Sequence, residues 1–105
     1  MQITDIKFRK LFDEGPMKAV VSVTFDDALA VHDIKVIYAR ERYFIVMPSR
    51  KNPDGSFRDT VHPIKTSFRE QLENAVIDAY HVYLAAQDAD AALLAEAENE
   101  YSAMV

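Results

Sequence analysis

The chain contains no cysteine and no tryptophan. Without cysteine it can form neither a disulfide nor a thiolate metal site. A reducing compartment, the cytoplasm, is the expected setting. Glycine occurs only at Gly15 and Gly55, so a glycine-rich phosphate loop is excluded. No apolar run approaches the ~20 residues that span a bilayer. Met1-Gln2-Ile3-Thr4-Asp5 has no basic region ahead of an apolar one, so no signal peptide is expected. Basic residues are also missing from one part of the chain: none follows Arg69.

That last absence divides the charge. Residues 1–70 carry twelve bases and ten acids, a net of +2. Residues 71–105 carry seven acids and no base, which gives the overall −5. A uniformly acidic surface repels nucleic acid, but a divided one need not. At 105 residues the chain has the length of one domain, with half its residues apolar. A chain this short exposes much of its surface, and pairing with a second copy would bury more.

Alternation organises the first half. Ile6 and Phe8 fall on one face, with Asp5, Lys7 and Arg9 opposite, which predicts a half-buried strand. Asp13-Glu14-Gly15-Pro16 predicts a turn. Met17, Ala19, Val21, Val23 and Phe25 share the next face. Asp26-Asp27 marks a reversal into Leu29–Ala39. There the apolar parity shifts at His32-Asp33, which predicts a β-bulge. Tyr43–Met47 is a fourth strand, ended by Pro48, which has no N–H to give a ladder. Asn52-Pro53-Asp54-Gly55 predicts a type I turn, and Phe57–Val61 a short returning strand.

Ser67 stands three residues before Glu70, the spacing of a capping box. Phe68, Leu72, Ala75 or Val76, Ala79 and Tyr83 then recur at helical spacing. Gln87–Asp90 is expected to interrupt this helix before an alanine-rich second one. The fold class expected is α+β: an antiparallel five-stranded sheet, one long helix and a shorter C-terminal helix. Residues 1–86 would form the domain, and residues 87–105 an acidic tail or helix. The bulged Leu29–Ala39 strand is expected to offer an uncovered edge for pairing.

Arg50 and Lys51 precede the Asn52–Gly55 turn and Arg58 follows it. Across a short hairpin these three come within side-chain reach. Lys65 and Arg69 lie where the helix begins, and a first helical turn favours an anion. Together they predict a phosphate cradle, in which Arg supplies a planar fork and Lys a mobile charge. Against this stands an ordinary solvated loop, with Asp54, Asp59 and Glu70 close enough to neutralise part of it. Other chemistry finds less support. His32, Asp33 and His62 lack metal-ligand spacing. Asp54 and Asp59 could be an acid–base pair, but turn formation explains Asp54. Ser49 and Ser67 have no evident base. Tyr80, His81 and Tyr83 could stack on bases, although helix packing suits the tyrosines better.

Several stretches together resemble one family. They are Ile3-Thr4-Asp5-Ile6, Val31-His32-Asp33-Ile34-Lys35-Val36-Ile37, Met47-Pro48-Ser49-Arg50-Lys51, Pro53-Asp54-Gly55-Ser56-Phe57-Arg58-Asp59 and His62-Pro63-Ile64. Their order and spacing are similar to those of the stage V sporulation protein G (SpoVG) family, over about residues 1–84. The resemblance implies a homodimer formed through the sheet. It also implies a bacterial cytoplasmic regulator of septation, sporulation or wider gene expression that binds DNA and, in some members, RNA. Arg50, Lys51 and Arg58 match the family's basic motif and would contact phosphate. Lys65 and Arg69 join them only through the helix-entrance argument. No enzymatic activity, cofactor, membrane partner or small-molecule substrate is expected. The alternative is a protein-interaction module acting on the division or transcription machinery. The acidic tail, if it folded over the basic loop, would compete with a polyanion.

Overall fold

The computed structural model describes the backbone of residues 1–104 and the side chains of residues 1–87. Six strands precede one helix: β1 (Ile3–Leu11), β2 (Met17–Phe25), β3 (Leu29–Ala39), β4 (Arg42–Val46), β5 (Ser49–Lys51), β6 (Phe57–Asp59) and α1 (Thr66–Met104). The architecture is α+β with antiparallel pairing throughout. The strands do not make the expected five-stranded sheet. β1-β2-β3-β4 form one sheet, and β5-β6 form a separate two-stranded ribbon. Pro48 is the physical reason, because it interrupts the donor row between β4 and β5.

The alternation in β2 sets the core. Ala19, Val21, Val23 and Phe25 are buried on one face, joined by Ile34 and Val36 of β3 and Ile45 of β4. The expected bulge in β3 is present. Val21 pairs with Ile34 and Val23 with Val31, so Ser22 faces both His32 and Asp33. Asp33 takes the extra residue at φ 63°. The bulge restores parity, so the apolar residues on both sides of it reach the same core.

β3 lies between β2 and β4, so it is not the uncovered edge that was expected. The hairpins β2-β3 and β3-β4 enclose it on both sides. The free edges are β1 and β4.

Helix α1 lays Leu72, Val76 and Tyr80 onto the sheet, all buried. Phe68 meets Phe25 at 5.9 Å between ring centroids, and Tyr83 stacks on Phe8 at 4.8 Å. The helix therefore covers one face from the end of β2 across to β1. It is a single helix, not two. No proline or glycine follows Pro63, and nothing at Gln87–Asp90 is costly enough to break a helical run. The predicted capping box is also replaced. The helix opens two residues early, where the Arg69 N–H donates to the Lys65 carbonyl at 3.0 Å, and Ser67 sits inside the first turn. The proposed contact of the acidic tail with the basic loop falls on side chains outside those described.

Two reversals use left-handed backbone without glycine. Asp26 and Asp27 have φ of 52° and 51°, and Arg40 and Glu41 have 54° and 63°. The first loop has three residues between the paired Phe25 and Leu29, and the second has two between Ala39 and Arg42. A two-residue hairpin demands this geometry at both positions, and Asn-Gly suits it best. Arg and Glu lack a short side chain that bonds locally, so each is held there at a cost of roughly 1 kcal/mol. The double substitution R40N/E41G should therefore raise unfolding stability by about 1 kcal/mol in urea denaturation. An unchanged or lower midpoint would show that the turn carries no strain.

Candidate nucleic-acid interface

The Asn52–Gly55 segment folds as its sequence dictates. The Gly55 N–H donates to the Asn52 carbonyl at 3.0 Å, closing the turn, and Gly55 adopts φ 91°. The Asn52 N–H then donates to the Ser56 carbonyl at 2.7 Å. Asp54 holds the tip together. Its carboxylate accepts the Ser56 hydroxyl at 2.6 Å and the Ser56 N–H at 2.9 Å. These two bonds hold the Asp54 carboxyl below its ordinary range, the hydroxyl contributing most. Asp54 thus serves the turn, and its charge is directed at Ser56.

The ladder behind the turn has three pairs: Ser49 with Asp59, Arg50 with Arg58, and Lys51 with Phe57. Directly opposed residues share a face, so Arg50 and Arg58 project together while Lys51 projects from the other side. All three are exposed. The ion pairs among the described side chains are Lys7–Asp5 at 4.0 Å and Arg42–Glu73 at 3.6 Å, and neither involves the ribbon. The structure thus places Arg50 and Arg58 opposite each other on one face of the ribbon, with no carboxylate at ion-pair distance among the described side chains.

The remaining predicted residues fare differently. Lys65 is exposed at the helix start. Arg69 is only partly exposed, and its Nη2 donates to the Ile45 carbonyl at 3.4 Å. It ties the helix to the outer side of β4. His62 holds the chain into Pro63, its Nδ1 lying 3.0 Å from the Pro63 carbonyl. Among the described residues no three His, Asp or Glu side chains are placed to hold a metal ion.

Two features escaped the sequence. One is an apolar groove of about 480 Å³ at the start of the helix, lined by Phe25, Met47, Ile64, Phe68 and Leu72. The other lies on the sheet face away from the helix, where Arg9, Lys10 and Lys35 surround Val20. The cations sit on two strands far apart in the chain, and only the register of β1-β2-β3 brings them together. Alternation in β1 was the one available signal.

The Asp54 geometry has a pH consequence. A depressed carboxyl pKa stabilises the turn above the ordinary value of 3.8. That stabilisation disappears as pH falls through the lower, folded-state value. In an acid NMR titration the Ser56 amide should lose its hydrogen-bonded shift in that window, and Asp54→Ala should show the unbonded shift at every pH. A Ser56 amide indifferent to both would remove Asp54 from the turn.

Known proteins supply a further comparison. The SpoVG family model matches residues 1–82. A SpoVG protein of Clostridium beijerinckii, named for septation, is 56% identical over 80 residues, covering 76% of this chain and 88% of that protein. Its counterpart in Clostridium acetobutylicum is 56% identical over 80 residues, covering 76% of this chain and 84% of that one. That of Desulforudis audaxviator is 52% identical over 80 residues, covering 76% and 91%. With a matching model over most of its length and relatives this similar, the chain belongs to the SpoVG family.

Proposed function

We propose that this protein is a non-enzymatic, cytoplasmic, homodimeric regulator that binds nucleic acid through the β5-β6 ribbon. The pathway it serves would be septation or sporulation, as the names of its relatives suggest. The observation that carries this reading is the Arg50–Arg58 pair. Like charges directly opposite on a ladder repel. A phosphate placed between two guanidinium forks turns that repulsion into two charge-assisted contacts. A two-stranded ribbon also has the width that the DNA major groove admits. Lys51 and Lys65 flank the pair and add to the local positive field.

Dimerisation supports the same reading. One protomer offers too few cations to hold a polyanion at cellular salt. A two-fold copy would double them and fix their spacing. β1 and β4 are the strand edges available for such pairing.

If about six phosphates are neutralised by the dimer, log K should fall against log salt with a slope of about −5. The variant R50A/K51A/R58A should bind DNA and RNA broadly more weakly and keep its circular dichroism spectrum. A folded triple variant that binds as well as the parent would remove the ribbon from the interface. A monomer in sedimentation at micromolar concentration would remove the dimer.

A protein-interaction module is the second reading, favoured by the apolar groove at the start of the helix. Ile64 at its rim is 89% exposed, an unusual position for a large aliphatic side chain. Under this reading, capture of division or transcription proteins would survive nuclease treatment and fail when Ile64 becomes polar.

A further inference from the structure

The sheet face opposite the helix is not an ordinary solvent face. Its central row crosses the strands as Lys10 on β1, Val20 on β2, Lys35 on β3 and Val46 on β4. Lys10 and Lys35 therefore stand two strand spacings apart, roughly 10 Å, on either side of an apolar floor. A bulge in β1 between Phe8 and Lys10 brings Arg9 to the same face. There the Arg9 Nε donates to the Ser22 Oγ at 3.2 Å. These three cations line a groove of about 360 Å³ that also contains Val20, Asp33, Pro48 and Ser49.

Three details mark this groove as organised. Ser22 is a buried polar residue, 6% exposed, on a face that would otherwise be solvated. Its Oγ lies 2.8 Å from the His32 Nδ1 as well as accepting from Arg9. The β3 bulge thus supplies the imidazole that holds Ser22, and Ser22 holds Arg9 by one nitrogen, leaving the terminal guanidinium nitrogens available. Lys10 and Lys35 take part in neither of the ion pairs found among the described side chains. Among the described residues Asp33 is the one carboxylate lining the groove, set against three cations. The groove also ends at Ser49, the first residue of β5, immediately before Arg50.

We infer that this groove is a second phosphate-binding site, which takes the phosphodiester backbone of one nucleic-acid strand leaving the β5-β6 ribbon. The inference rests on the nucleic-acid reading given above and extends it from the ribbon onto the sheet. Lys10 and Lys35 contact phosphate oxygens as mobile charges, and Arg9 does so as an oriented fork. Val20 gives the strand an apolar floor, where sugar carbons and base faces lose little by leaving water. The groove's volume is on the scale of a nucleotide-sized ligand. It therefore accepts one strand, either free or as the near backbone of a duplex.

The test uses the full chain and three probes: a short mixed-sequence single-stranded DNA, the matching RNA, and the DNA duplex. Each is titrated at a series of salt concentrations against the parent, K10Q/K35Q and R50A/K51A/R58A. Lys10 and Lys35 are exposed and make no ion pair among the described side chains, so the double variant should keep the parent's circular dichroism and thermal midpoint. The expected result is a loss in affinity on the order of ten-fold at moderate salt. The salt slope should become shallower by about 0.7 per lost contact on single strands and about 0.9 on the duplex. A loss confined to single strands or to the duplex identifies which form supplies the backbone and supports the groove. Parent-like affinity and slope in folded K10Q/K35Q, with the ribbon variant weakened, overturns the groove and leaves the ribbon standing. Loss in K10Q/K35Q with the ribbon variant unaffected keeps the groove and overturns the ribbon. No binding of the parent to any probe overturns both.

Discussion

Two arginines held face to face across a three-pair ladder form the constraint on which the functional reading depends. The arrangement is electrostatically unfavourable by itself. It persists because the ribbon is closed elsewhere. The Asn52–Gly55 turn fixes the register, the Asp54–Ser56 bonds fix the tip, and the Thr60 N–H donates to the Pro48 carbonyl at 2.8 Å at the base. The one acid at the tip is directed into the turn. A two-stranded ribbon is marginal in isolation, so its orientation must come from what it is attached to.

That attachment is the helix-covered sheet. Val21, Val23, Ile34 and Val36 meet Leu72 and Val76 in a core from which water is excluded. The same core leaves the opposite face of the sheet free for polar work. Ser22, His32 and Arg9 are linked there through hydrogen bonds to one hydroxyl. The β3 bulge serves both sides at once. It keeps Ile34 and Val36 in the core and brings His32 to Ser22 on the other face. Pro48 separates the ribbon from the sheet by ending β4, so the ribbon leaves the sheet beside the basic groove.

Much of this was legible in the sequence. The period-two pattern of β2 located the core face, and the parity shift at His32-Asp33 located the bulge, because both follow directly from strand geometry. Pro53 and Gly55 specified the turn, and with it the meeting of Arg50 and Arg58. What could not be read locally was pairing between distant strands. Pro48 marked the end of β4, but whether β5 would rejoin the sheet depended on tertiary register. β3 looked like an open edge because its two hairpins cannot be ordered from one strand's pattern. The Arg40-Glu41 reversal carried no glycine or asparagine to announce its left-handed backbone. Lys10 and Lys35 sit 25 positions apart in sequence, and only the cross-strand register through Val20 joins them. Arg69 was placed correctly at the helix start, but its reach to the Ile45 carbonyl required the packing angle of helix on sheet.

The most direct measurement is arginine side-chain NMR during titration with a short DNA duplex. The account predicts that the Nε–Hε signals of Arg50 and Arg58 shift together, with one midpoint, and return when salt is raised. Signals that stay fixed while resonances elsewhere on the chain move would contradict it, because a polyanion would then be bound without touching the ribbon face that Arg50 and Arg58 share.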